Sequence, residues 1–127
     1  PMKYAVNARH VPEALGSSSQ GTTAGRFIFV SGQLPVEEHD NEKLVSDDVA
    51  QQVERELDIT ANILSTIDLT LTDVAQTTVY LTDLHDFEAM DRVYAKRFGR
   101  PAPARSVVEV QKLPLNARVE IACIACR

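Results

Sequence analysis

Apolar and polar residues along this chain follow two different periods. Val49, Val53, Leu57, Thr60, Leu64 and Ile67 recur at helical spacing, which predicts a long helix of about five turns with one buried stripe. Ser46 stands ahead of it as an N-cap, and Asp47 and Asp48 suit the positive end of its first turn. Phe87, Met90, Tyr94 and Phe98 repeat the spacing in a second helix, capped by Asp86 and stopped by Gly99 and Pro101. The other apolar segments are short and rich in β-branched residues. Residues 3–6, 22–24, 27–31, 74–81, 105–110 and 118–125 read as strands. Gly25 and Arg26 fit a two-residue hairpin turn, and "EEHDNEKL" and "QKLPLN" are polar loops. The order β-β-β-α-β-α-β-β predicts an α+β fold, a mixed sheet with two helices on one face. The other face is left without a cover, so a closed homo-oligomer is expected.

Composition narrows the partners. A length of 127 residues suggests one domain spanning 1–127. Thirteen basic against eighteen acidic residues leave a net charge of −5 and no basic stripe, so nucleic acid is not an expected partner. The longest apolar runs, "FIFV" and "IACIAC", fall far short of the ~20 residues that span a membrane. No apolar signal core opens the chain, and the expected location is cytoplasmic. Cys123 and Cys126 form a C-x-x-C within a strand. Strand positions three apart face opposite sides about 10 Å from one another, which suits packing thiols better than a dithiol. His10, His39 and His85 lie far apart with no ligand spacing. Neither a metal site nor a histidine pair for phosphodiester cleavage is expected from them.

Arg105 is the position that needs explaining. It opens a strand containing Val107, Val108 and Val110, and an unpaired buried guanidinium costs several kcal/mol. Three outcomes are open: escape to water, an ion pair such as Arg105–Glu120, or an anionic ligand. Pro101 and Pro103 stiffen the approach to Arg105, which would preorganise it for a carboxylate.

"FVSGQLP", "VYLTDLHDFEAM", "VYAKRFG", "PAPARSVVEVQKLP" and "ARVEIACIA" resemble, in order and over nearly the whole chain, the Rid family (reactive intermediate deaminase, also called YjgF). The resemblance implies a chorismate-mutase-like fold and a homotrimer that closes a central barrel, with three pockets between subunits. It implies hydrolysis of enamine and imine intermediates, such as 2-aminoacrylate and 2-iminopropionate, to 2-oxo acids and ammonia. No cofactor is implied; pyridoxal-phosphate-dependent dehydratases release those substrates. On this resemblance Arg105 clamps the substrate carboxylate, and Glu120 holds or polarises the attacking water as a general acid–base. Gly32 brings main chain close to the ligand, Ser31 lines the same pocket and Phe87 is an aromatic wall.

Three departures accompany it. Ser18 stands where the family's "GPYSQ" has Tyr, Val107 where it has Cys, and Asp91 where it has Asn. Val107 keeps only a main-chain contact, Asp91 adds negative charge beside an anion site, and Ser18 implies a wider pocket. Rival readings are a non-catalytic trimer that binds small 2-oxo or amino acids, a ribonuclease as described for some relatives, and a tautomerase using the Pro1 amine. Removal of an initiator methionine is the favoured account of Pro1 over the tautomerase reading. Tyr4, Tyr94, Met90 and Phe98 read as core or interface packing and Asp83 and Asp86 as turn and cap residues. A place for His85 at the pocket's edge, beside Phe87, is the less favoured reading of that residue.

Overall fold

The computed structural model describes residues 2–127, so Pro1 and its proposed amine chemistry lie outside the described residues. Strands β1 (Lys3–Val6), β2 (Gly21–Ala24) and β3 (Phe27–Gln33) precede helix α1 (Val49–Ser65). Then come β4 (Val74–Leu81), α2 (Phe87–Phe98), β5 (Ala104–Glu109) and β6 (Val119–Cys126), with short 3-10 turns between elements. One six-stranded sheet results, in the order β1-β2-β3-β6-β4-β5. Every pair is antiparallel except β4 with β5, which are parallel and joined by α2 as their crossover. Hence β6 sits at the centre of the sheet and β5 at its edge.

Alternation builds the core. Ile28, Val30, Thr77, Val79, Leu81, Val119, Ile121, Cys123 and Ala125 are buried on one face of the sheet. The apolar ones among them meet Val53, Leu57, Ile63 and Leu64 of α1 and Met90, Tyr94 and Phe98 of α2 in one cluster. The opposite face keeps Phe27, Phe29 and Val108 exposed. Two helices on one face of a mixed sheet is the arrangement the sequence pattern predicts. Tyr4 is exposed, which removes it from the core. Among the described residues no helix is long and apolar enough to cross a membrane.

Gly25 turns the hairpin with φ +60°, and Ala24 pairs with Phe27 across it. The caps differ from expectation. Asp48, not Ser46, caps α1 by accepting the Gln51 N–H at 3.0 Å, while Ser46 Oγ accepts the Asp48 N–H at 3.0 Å. Both residue types cap well, and the first buried stripe position, Val49, decides between them. Ile67 lies past the end of α1 yet packs on the core. Asp86 makes no cap hydrogen bond; its carboxylate instead accepts Nε and Nη2 of Arg118 at 3.1 and 2.9 Å. Asp83 does cap, accepting the His85 N–H at 2.9 Å. Cys123 is buried on the helix face and Cys126 half-buried, both as free thiols, and burial pushes Cys123 up to about 12.

Gln52 ties these parts together. Fully buried on α1, it donates from Nε2 to the Ser46 carbonyl at 2.8 Å and accepts the Arg118 N–H on Oε1 at 2.9 Å. The entrance to β6 is thereby fixed against the start of α1. Gln52→Ala strands both main-chain groups, and its urea unfolding should show a loss of about 2–4 kcal/mol.

Candidate functional site

Arg105 lies beside Thr77 in the β4–β5 register, on the helix-covered face. There α2 offers it one stripe of three side chains at helical spacing. The guanidinium carbon sits 4.6 Å from the centre of the Tyr94 ring and 5.3 Å from that of Phe87, distances at which a cation is attracted to an aromatic face. Asp91, between them on the stripe, accepts Nη1 of Arg105 on Oδ1 at 2.6 Å. The Tyr94 hydroxyl is 2.6 Å from Thr77 Oγ1, which fixes the ring beneath the cation. Burial raises the Tyr94 pKa and keeps the phenol neutral.

Arg105 has therefore found an acid, though with one nitrogen only. Its Nε and Nη2 make no hydrogen bond among the described residues, and the side chain is 23% exposed. Arg105 borders a cavity of about 370 Å³ that is also lined by Asp91, Tyr94, Gly99, Arg100 and Pro103. Two residues along β5, Val107 is half-buried against the core.

A second cluster forms where β3 bulges. Val30 pairs with Cys123 and Gln33 with Ile121, so Ser31 and Gly32 together oppose Ala122 alone, an extra residue that bends the strand. Glu120 lies across this bulge. A Cβ on Gly32 would fall 2.8 Å from Glu120 Cδ and 3.1 Å from its Cγ, closer than side chains tolerate, so glycine is what gives the carboxylate its place. Glu120 is half-buried without a hydrogen bond among the described residues, and burial raises its pKa.

Ser31 and Gly32 share a cleft of about 210 Å³ with Leu15, Ser18, Gln20 and Gln33. The loop ahead of β2 is strapped to the bulge. Ser31 Oγ donates to the Ser19 carbonyl at 2.6 Å, and Gln20 accepts the Ala8 N–H at 2.6 Å while donating to the Pro12 carbonyl at 2.9 Å. Ser18 turns its hydroxyl back onto the Leu15 carbonyl at 3.1 Å, within its own loop.

The expected site residues thus fall into two groups. Arg105, Asp91, Phe87 and Val107 gather at the edge of the helix-covered face, and Glu120, Gly32, Ser31 and Ser18 at the bulge. Glu120 aligns with Tyr80 and Tyr80 with Val108, a row on the open face. An Arg105–Glu120 ion pair does not form, because the two side chains leave opposite faces of the sheet with β4 between them. His85 is 97% exposed, 2.9 Å from Asp83. His10 and His39, distant in sequence, both approach Glu38, at 3.3 and 3.8 Å. Still, no three His, Cys, Asp or Glu side chains among the described residues could hold a metal ion.

Glu56 is the residue that apolar periodicity passes over. It shares the α1 stripe with Val53, Leu57 and Thr60, fully buried, and neither carboxyl oxygen has a partner. Burial, and secondarily the charge of Glu120, hold its pKa well above the ordinary carboxylate value. A glutamate at a stripe position was the available signal.

Over residues 8–127 the sequence matches the family described as Endoribonuclease L-PSP. It is 36% identical to the 2-iminobutanoate/2-iminopropanoate deaminase of Escherichia coli K12, covering 99% of both chains. The chain belongs to the Rid family. Reactive Intermediate Deaminase A of Arabidopsis thaliana is 41% identical to this Rid chain, over 97% of it and 65% of the plant protein. Among solved structures, yeast Mmf1 superposes with a TM-score of 0.92 at 33% identity, covering 99% of each chain. E. coli TdcF with bound serine does so at 0.89 and 31%, covering 98% of each.

A carboxyl whose pKa is raised by folding stabilises the fold fully below the ordinary carboxylate range, and that contribution is lost as pH rises through the raised value. Glu56→Met in this Rid chain removes the titration. In melts from pH 4.5 to 8.5 the variant should melt above the wild type, by a margin that widens with pH.

Proposed function

We propose that the chain is a hydrolytic deaminase of 2-imino and 2-enamino acids, yielding 2-oxo acids and ammonia. One observation carries it: a guanidinium seated on two rings, with Nε and Nη2 unclaimed, at the border of an open cavity. A small planar carboxylate matches those donors bidentately. The relatives named as imine deaminases, and the TdcF structure holding an amino acid, support the same ligand size and charge.

The chemistry needs a water and a proton carrier. An enamine takes a proton on carbon and becomes the 2-iminium acid. Water adds to the C=N carbon, one of its protons passes to the nitrogen, and the C–N bond breaks as the new hydroxyl returns its other proton to the carrier, leaving the 2-oxo acid and ammonia. Glu120 is the proposed carrier, since burial moves its pKa upward toward the working range of a general acid–base. Holding anion and water in register lowers the barrier further. Pyridoxal-phosphate-dependent dehydratases, which release such enamines, are the proposed upstream enzymes.

Arg105 and Glu120 serve different faces of one chain, so the proposed site is completed between copies. The exposed Phe27, Phe29 and Val108 supply the apolar surface for a homotrimer. Phe29→Glu should lower the mass in light scattering from trimer to monomer and lower activity with it.

In a serine- or threonine-dehydratase-coupled assay of ammonia release, Arg105→Ala should lose about 10- to 150-fold, the worth of one charge-assisted pair at about 1.5–3 kcal/mol. Glu120→Gln should lose about 100-fold or more. Wild-type protein that binds 2-oxo acids without accelerating ammonia release would instead be a binding module. Full activity in Arg105→Ala would sink the assignment.

A further inference from the structure

Asp91 gives the Arg105 cavity a second sign of charge. Its Oδ1 holds Arg105 Nη1 at 2.6 Å, while Oδ2 makes no hydrogen bond among the described residues and the side chain is 40% exposed. Asp91 and Arg105 border the same space, with Arg100 beside them. A ligand carboxylate on the free Nε and Nη2 of Arg105 would lie next to a standing carboxylate. The single charge of Arg105 is shared between these two anions and offsets only part of their repulsion, which a cation on the ligand itself reduces further. A 2-iminium acid carries that cation, one bond from the carbon that bears its carboxylate. A 2-oxo acid does not.

We propose that Asp91 makes this site selective for a carboxylate with a positively charged nitrogen on the adjacent carbon, so that it takes the iminium form of the substrate and disfavours the 2-oxo acid product. The inference rests on Arg105 as the carboxylate anchor. It names the protonation state of the ligand and gives hydrolysis a direction. Addition of water and loss of ammonia strip the ligand of its positive charge, and the product is left sharing Arg105 with Asp91 and is held less tightly. A purely structural Asp91 would only aim the guanidinium, and asparagine keeps that aim through a weaker bond, since its side-chain oxygen accepts from the same Nη1. Charge and aim are thus separable in one substitution.

The test uses stable probes: calorimetric or NMR titration of wild type and Asp91→Asn with alanine, which keeps the cationic nitrogen, and with pyruvate, which lacks it. Arg105→Ala serves as the control. The ratio of pyruvate Kd to alanine Kd should fall at least fivefold in Asp91→Asn, mainly through tighter pyruvate binding. A smaller change, with both probes still bound and both lost in Arg105→Ala, overturns the role of Asp91 and leaves the anchor intact. If neither probe binds the wild type, or Arg105→Ala binds them unchanged, the anchor itself fails and the selectivity goes with it.

Discussion

A guanidinium cannot lie bare on the covered face of a sheet, and the edge of this one is organised around that constraint. Arg105 is on β5 because the parallel crossover through α2 returns the chain there, and α2 is also what solvates it. Phe87, Asp91 and Tyr94 form one stripe, so a single helix supplies two π faces and one carboxylate from the same side. Thr77 on the neighbouring strand locks the Tyr94 ring through its hydroxyl. The cation is thereby compensated without being sealed in, which is the condition for a side chain to hold its own position and still accept a ligand.

The same sheet separates the two halves of the proposed chemistry. Its helix-covered face takes Arg105, the proposed anchor, and its open face takes Glu120 beside the Gly32 bulge. One polypeptide cannot fold the second onto the first. The open face, with Phe27, Phe29 and Val108 exposed, offers the means of bringing another copy's cluster to the anchor. Assembly and activity are then the same event in the proposed function.

Much of the fold was legible because its elements are amphipathic with a clear period. The stripes from Val49 to Leu64 and from Phe87 to Phe98, and the alternation in β4 and β6, mark both helices and the buried side of the sheet. Less legible was anything set by the phase of one strand against another. Arg105 and Glu120 each look like a charge embedded in a strand, and only the β4–β6 and β4–β5 registers show that they leave opposite faces. Caps shifted for a local reason: "SDD" offers three competent residues, and side-chain packing chooses among them. Asp86 was claimed by Arg118, which comes 32 residues later. Glu56 escaped notice because a stripe read from apolar residues skips the polar residue lying within it.

The doubled position in β3 also constrains how this chain can change length. Beyond Ser31 and Gly32 the strand has changed phase, and Gln33, opposite Ile121, is buried because of that shift. Deleting either bulge residue would restore plain alternation with Gln33 still opposite Ile121, straighten the strand and remove the close-lying main chain that beds Glu120. The polar loops on either side can lengthen or shorten over evolutionary time. This one spot must keep its count.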